Sequence, residues 1–518
     1  MNAHLAHLTI APVLAPFVAG VMLLILRDLS MAARRRLAVL AVLAQIGVAI
    51  ALLVAVSGGD ILVYRLGDWP APWGIVLVAD RLAAWLVLIT TLLALFALIH
   101  AGDGLDRRGR HFHVLFQMQL FGLAGAFLTG DLFNLFVFFE ILLIASYGLL
   151  LHGGGPERAR AGLHYVVLNL LGSTVFLFAA GLIYASLGSL NLADLAARAA
   201  VVPPENLGLA RAGGLLLLAV FALKAALLPL FLWLPAAYAN TAAPVAALFA
   251  IMTKVGAYAI LRIDTLLFGD TAGALAGLFD PWLLPLALAT LAFGMLGALA
   301  AERLKRLAAW LVVASVGTLL TAFSLGGEGI AAGLYYLPHG TFAAALLFLL
   351  AEAVARRRPA SADFFTPDAD MPRHAFWGGL YFAAAVAIAG LPPLSGFLGK
   401  FLVLRAATGH PWQPWIFAVI LVAALAGVIA LARAGSRLFF SHGDHASTAA
   451  VPAASPADAM PPENPPGGWR EPLPILGLLG LILALTVAAG PAVDYARATA
   501  AQLADPAAYI AAVLGGAP

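Results

Sequence analysis

The hydrophobic positions of this chain fall in long, nearly unbroken runs of about twenty residues, separated by short polar stretches rich in arginine. A helix rises about 1.5 Å per residue, so such a run spans the roughly 30 Å hydrocarbon core of a bilayer. The runs predict about fourteen spans, near 9–26, 37–56, 78–100, 112–129, 131–151, 162–187, 212–234, 242–262, 281–300, 307–325, 329–351, 375–404, 413–433 and 473–490. Continuous runs, in place of ten-residue alternations, exclude a barrel. The expected fold is an all-α polytopic membrane protein. Its organisation reads as an N-terminal three-helix region (1–111), two halves (112–262, spans four to eight; 281–433, spans nine to thirteen), a linker (434–472) and a C-terminal helix and tail (473–518). Residues 190–200, LNLADLAARAA, predict a short amphipathic helix at the outer surface.

Composition agrees with that pattern. Of 518 residues, 63% are hydrophobic and 11% charged, under half the charged share usual in a soluble domain. There are no cysteines, which excludes disulfides, iron–sulfur clusters and thiol chemistry within the chain. The start, MNAHLAHLTIAPVLAPFVAG, lacks a basic leader and runs straight into a span, so no cleavable signal is expected. If the first span ends at the cytoplasm, nineteen of the 29 lysines and arginines fall on cytoplasmic loops and seven on the opposite side. The positive-inside rule then places both termini outside the cytoplasm. The remaining three, Lys224, Lys254 and Lys400, lie inside apolar segments.

Those lysines have a counterpart in Glu140, midway along GDLFNLFVFFEILLIASYGLLL (130–151). An ionisable group in hydrocarbon is costly, faces the bundle interior and marks an ion pathway. Burial disfavours a charged lysine and a nearby carboxylate favours it, so an acid–lysine pair is a protonation switch. Glu140 with Lys224 is the expected pair, with Lys254 passing the proton on. His339, in GLYYLPHGTFAAALLF, titrates near neutrality when unperturbed and suits a relay, though it serves equally well as an interhelical hydrogen bonder. Lys400 is the expected exit group.

Two spans carry proline near a lysine: Pro229 and Pro235 follow Lys224 in FALKAALLPLFLWLP, and Pro392 and Pro393 precede Lys400 in AGLPPLSGFLGK. Proline removes a helical hydrogen bond, and within a membrane such a break is tolerated where it is buried or lines a wet cavity. Breaks at matching places in two halves point to an inverted-repeat transporter. Other polar residues have blander readings. Asp131 and Asn134 either collect cations or cap a helix. His164 and Asn169 line a path or bond between helices. His100, His111 and His113 sit at span ends, where a wet location requires no special role. His442, Asp444 and His445 resemble metal ligands. They lie, however, in the Pro/Ala/Ser/Gly-rich stretch 434–472, which reads as a disordered cytoplasmic linker and supplies no further ligands.

The segments TGDLFNLFVFFEILLIASYGLLL, HYVVLNLLGSTVFLFAAGLIYASLGSLNLADLA, LKAALLPLFLWLPAAYANTAAPVAALFAIMTKVGAYAILR and AGLPPLSGFLGKF resemble the antiporter-like subunits shared by respiratory complex I and the multi-subunit Mrp (Pha, Mnh) cation/proton antiporters. FNLFVFFE, GSLNLADLA and the RLFF after the thirteenth span look like the D-type member of the Mrp antiporters. The resemblance implies fourteen helices, two inverted five-helix repeats and a chain of glutamate and lysines at the membrane midplane. It assigns Glu140, Lys224, Lys254 and Lys400 to the family's acid of helix five and lysines of helices seven, eight and twelve. It further implies hetero-oligomeric partner subunits, Na⁺ or K⁺ exported in exchange for H⁺, a role in pH homeostasis, a bacterial cell membrane and no cofactor or enzymatic centre. Two departures from the family stand out, at three positions. Ala343 stands where many relatives carry a lysine after H-x-x-F, leaving that stretch to His339 or water, and Ala236 and Ala237 follow WLP where complex I relatives carry an acid or histidine. No acidic cluster offers several oxygen ligands for a dehydrated Na⁺, which places cation passage mainly in partner subunits. The alternative is the pump arm of a redox-driven NADH:quinone oxidoreductase or membrane hydrogenase; a structural scaffold is the third reading.

Overall fold

A computed structural model describes residues 3–358, 360–366, 371–440 and 471–515. The N-terminal region comprises α1 (Ala3–Ile25), α2 (Met31–Val56) and α3 (Arg81–Ala101). The next stretch holds α4 (Phe112–Leu128), α5 (Leu132–Leu151), α6 (Pro156–Leu187), α7 (Leu192–Ala199), α8 (Pro204–Ala225), α9 (Trp233–Asn240), α10 (Ala243–Phe249) and α11 (Met252–Ile263). The second half holds α12 (Asp280–Leu299), α13 (Leu304–Phe323), α14 (Gly326–Ala355), α15 (His374–Ala389), α16 (Ser395–Ala406) and α17 (Gln413–Phe439). The chain closes with α18 (Pro472–Val487), α19 (Ala489–Ala504) and α20 (Pro506–Leu514). The 441–470 part of the expected linker, with His442, Asp444 and His445, lies outside the described residues. Its first residues continue α17 as far as Phe439.

Among the described residues eleven helices are long and apolar enough to cross a membrane, or twelve if α18 and α19, bent by 77°, form one span. The fourth and twelfth expected spans hold the shorter apolar helices α4 and α15, so length and composition alone do not reach fourteen. The physical causes are local. α4 stops where Asp131 caps the start of α5, and α15 stops at Gly390, ahead of two prolines. Between α2 and α3 lies a feature the hydropathy did not predict, an antiparallel hairpin of β1 (Leu62–Arg65) and β2 (Val76–Ala79), the latter taking the first residues of the third expected span.

Burial sorts the helices into an inner and an outer set. The most apolar stretch through α10 and α11 is wholly buried and that of α14 is 94% buried, against 28% for α2 and 39% for α6. Helices apolar on every side, with Leu163, Val167, Leu170 and Phe178 of α6 exposed, suit a hydrocarbon surround. This is a multi-pass membrane protein. Ion pairs collect at the two ends of the bundle: Arg35–Asp106 at 2.6 Å and Arg357–Glu471 at 2.5 Å at one, Arg262–Asp80 at 2.5 Å and Arg497–Glu328 at 3.4 Å at the other. The C-terminal helices tie the ends together. α18 packs on α3, α14 and α16, α19 on α14, and α20 on α7. α7 is the amphipathic helix expected, with Leu192, Leu195 and Ala199 buried against protein and Arg198 exposed.

Candidate functional site

Glu140 projects from the middle of α5 toward α6, where the Ser173 hydroxyl donates to its carboxylate. Ser173 Oγ also lies 3.0 Å from the main-chain oxygen of Asn169, one turn earlier on α6. Lys224 Nζ, arriving from α8, donates to that same oxygen and to Asn169 Oδ1, both at 3.3 Å. The Asn169 amide is held by its own Nδ2, which donates to Tyr165 O at 2.9 Å and leaves Oδ1 to the lysine. Glu140 and Lys224 are therefore not a direct ion pair: Ser173 and Asn169 stand between them. Sequence reasoning missed Ser173. Lys224 lies in the last turn of α8, where the unpaired carbonyls carry partial negative charge that favours an ammonium.

The helix break explains why that end is free. Ala226 adopts a left-handed conformation, φ 59° and ψ 46°, and terminates α8. Pro229 lies in the turn that follows, and Pro235 lies in the first turn of α9. Trp233 Nε1 donates to Leu223 O at 3.1 Å, an end carbonyl of α8 that also accepts from Ala226 N at 3.2 Å. Lys254 sits on α11, wholly buried, and its Nζ meets Thr253 Oγ1 at 3.3 Å. Among the described residues no hydrogen bond joins it to Lys224 or His339. α8 and α11 nevertheless touch closely, because a Cβ at Gly256 would stand 2.3 Å from Ala225 N and 2.7 Å from the Lys224 carbonyl carbon. Only glycine permits that approach.

A second cluster forms at the other break. α15 ends at Gly390, φ 76°, and Lys400 Nζ on α16 donates to the end carbonyls Ala389 O at 2.8 Å and Ile388 O at 3.5 Å. Pro392 and Pro393 occupy the connecting turn. His339, in the buried middle of α14, shares a 2.9 Å hydrogen bond between Nδ1 and Ser395 Oγ at the start of α16. Pro338, beside it, has no N–H for Leu334 O, and Trp85 Nε1 of α3 donates to that carbonyl instead, at 3.1 Å. Both lysine clusters thus place an ammonium at the C-terminal end of an interrupted helix.

Among the other polar residues the capping reading holds for Asp131, whereas His164 bonds within its own helix and not between helices, and His100 and His113 are buried in place of the wet setting expected. Asp131 caps α5, its Oδ1 accepting from Asn134 N at 2.7 Å, while Asn134 Nδ2 donates to Thr129 Oγ1 at 2.9 Å. His164 is exposed and bonds within its own helix, to Arg160 O at 3.1 Å. His111 precedes α4, and His113 lies 3.1 Å from Asp106. His100 is buried with Nε2 3.9 Å from Glu352.

The comparisons with known proteins follow the same lines. A family model described as NADH:quinone oxidoreductase/Mrp antiporter, TM, matches residues 129–427, which include both lysine clusters. The chain is 40% identical to a Rhizobium meliloti protein named as the probable D component of a K(+)/H(+) antiporter, over 98% of this chain and 97% of that protein. It is 35% identical to the D component of the Na(+)/H(+) antiporter of Alkalihalophilus pseudofirmus, over 98% and 99% of the two chains. A chain of the Mrp complex structure from Dietzia sp. DQ12-45-1b superimposes with a TM-score of 0.84 at 27% identity, covering 99% of this chain and all of that one. Taken with the broken helices and their lysines, these matches show that the chain belongs to the NADH:quinone oxidoreductase/Mrp antiporter transmembrane family.

Proposed function

We propose that this chain is the proton-translocating subunit of a hetero-oligomeric monovalent cation/proton antiporter, which exports Na⁺ or K⁺ in exchange for H⁺ and so supports pH homeostasis. The observation that carries the reading is the polar series Glu140, Ser173, Asn169 and Lys224 across three helices inside apolar surroundings: Ser173 donates to Glu140 and lies 3.0 Å from the Asn169 main-chain oxygen, to which Lys224 donates. A proton taken by Glu140 removes the charge that Ser173 supports, and Lys224 responds through the Asn169 oxygens. Lys254, His339 and Lys400 then carry the proton through the second half, with water across the gaps that no side chain closes. Pro229, Pro392 and Pro393 keep the helix ends open toward those lysines. Cation passage lies mainly in partner subunits, and the chain holds no redox or hydrolytic centre and no cofactor. It resides in a bacterial inner membrane with both termini on the non-cytoplasmic side, as its arginine distribution supports.

The test uses everted vesicles carrying the whole native complex, energised through an unrelated respiratory donor and challenged with Na⁺ or K⁺. Cation-induced collapse of the pH gradient in wild type, absent in assembled Glu140→Gln, is the expected result and identifies the ion. An assembled complex with no cation response, co-purifying with flavin and iron–sulfur absorbance, would overturn the reading in favour of a redox-driven pump.

A further inference from the structure

The two helix breaks are built alike. At the first, Ala226 N donates to Leu223 O at 3.2 Å and Leu227 N to Ala222 O at 2.8 Å. At the second, Gly390 N donates to Ala387 O and Leu391 N to Val386 O, both at 3.1 Å. Each is a Schellman ending, in which a residue of positive φ bonds three positions back and its successor five back. The main chain thus closes the ends of α8 and α15 with their own carbonyls. Just beyond each ending, one N–H finds its partner on another helix. Leu228 N donates to Thr290 Oγ1 of α12 at 2.8 Å, and Ser395 N, at the start of α16, donates to Thr486 Oγ1 of α18 at 2.9 Å.

The two threonines receive these donors in the same way. Thr290 Oγ1 gives its own hydrogen to Leu286 O at 2.6 Å, and Thr486 Oγ1 gives its hydrogen to Ile482 O at 2.8 Å, each one turn back on its own helix. With the hydrogen committed there, the oxygen turns only lone pairs to the break and accepts. A threonine that bonds back along its own helix is ordinary in a helix interior. Thr321 of α13 does so toward Gly317 O at 2.8 Å, and among the described residues it accepts nothing from a break. Accepting an N–H across 62 and 91 positions of chain sets Thr290 and Thr486 apart. Each also stands outside the half whose break it holds, since α12 opens the second half and α18 follows it.

We propose that Thr290 and Thr486 are positioning residues for transport: each hydroxyl fixes, from a neighbouring helix, where the chain resumes after a break, and so holds in place the lysine beside that break. Ser395 carries the hydroxyl that meets His339 and lies five positions before Lys400, so Thr486 seats α16 and sets the reach of Lys400 to Ala389 O. Leu228 lies four positions after Lys224, between the end of α8 and the Trp233 indole that closes on Leu223 O. The inference rests on the relay reading and adds a direction of control to it. Movement of α12 reaches the Lys224 break through Thr290, and movement of α18 reaches the Lys400 break through Thr486.

The test compares isosteric and conservative variants in the whole complex. Valine keeps the shape of threonine and removes the acceptor, while serine keeps the acceptor. Thr290→Val and Thr486→Val are expected to move protons about tenfold more slowly per assembled complex in cation-challenged vesicles. Thr290→Ser and Thr486→Ser are expected to retain most of the rate, and Thr321→Val all of it. Valine variants at the wild-type rate, serine variants as slow as the valine ones, or an equal fall in Thr321→Val would overturn the inference. If Thr290→Val does not assemble, the two Thr486 variants decide. Failure here is distinct from failure of the relay: a dead Glu140→Gln beside fully active valine variants removes the positioning role and keeps the relay, while a fully active Glu140→Gln removes the relay itself.

Discussion

The Ser173 hydroxyl donates its hydrogen to the Glu140 carboxylate, from a helix that also holds the Lys224 ammonium on the Asn169 oxygens. α6 therefore stands between the acid of α5 and the lysine of α8, and the proposed relay runs through it. A hydrogen bond to a charged group contributes about 1.5–3 kcal/mol, so Ser173→Ala should slow cation-driven proton movement roughly ten- to a hundredfold. Ser173→Thr, which keeps the hydroxyl, should retain most of the rate. Initial rates in vesicles with matched amounts of complex provide the check.

Two glycines should fail in different ways. Gly256→Ala drives a methyl to 2.3 Å from the Ala225 backbone nitrogen, which cannot move aside without shifting α8. Overpacking of this kind costs about 1–3 kcal/mol, and the expected outcome is a lower unfolding midpoint and poorer recovery of the complex. Gly390→Ala meets the flexible end of Lys400, with Nζ at 3.0 Å, and strains a φ of +76°. It should assemble, because the lysine can swing away, yet transport slowly, because the ammonium then leaves the end of α15.

A buried ion pair locks the far end of the bundle. Arg262 of α11 meets Asp80 at 2.5 and 2.8 Å, and its guanidinium lies between the rings of Tyr258 and Tyr509. Removing one charge strands the other away from water, at a cost of about 3–5 kcal/mol. Asp80→Asn should lower the unfolding midpoint of the detergent-solubilised complex sharply, while Asp80→Asn with Arg262→Met should recover most of the loss. Asparagine can still accept from Ala83 N, so the cap on α3 survives in both.

At the opposite end, Asp106 shows a pH dependence of known sign. Burial pushes its carboxyl upward, but hydrogen bonds from Arg35 and His113 outweigh this and hold it at about 2, below its ordinary 3.8. A carboxyl depressed by folding adds stability that is fully present above its unfolded value and is lost as pH falls through the folded one. The difference in unfolding midpoint between wild type and Asp106→Asn should be constant from neutrality to about pH 5 and shrink between about pH 4 and pH 2.

How much of this was legible in the chain follows from physical range. Spans and intramembrane charges announce themselves locally, because twenty apolar residues have one stable use and a lysine among them has few. Glu140, Lys224, Lys254 and Lys400 were found on that ground alone. Ser173 was not, since a serine is at home in any span and its meaning depends on which face of α6 meets Glu140, 33 positions away. The same holds for Trp85, whose indole serves the carbonyl released by Pro338 across 249 positions of chain. The β1–β2 hairpin escaped because strands of four residues each leave no period to read. The direct Glu140–Lys224 pair expected from charge alone gave way to a bridged one because α6 lies between their helices.

A double-mutant cycle on transport, with Ser173→Ala, Asn169→Leu and the two combined in complexes of equal abundance, examines the bridge itself. If Ser173 and Asn169 are successive links of one path, each single variant slows proton movement and the double variant is about as slow as the worse single one. Losses that multiply, or a single variant that transports at the wild-type rate, would mean that Glu140 and Lys224 do not communicate through α6.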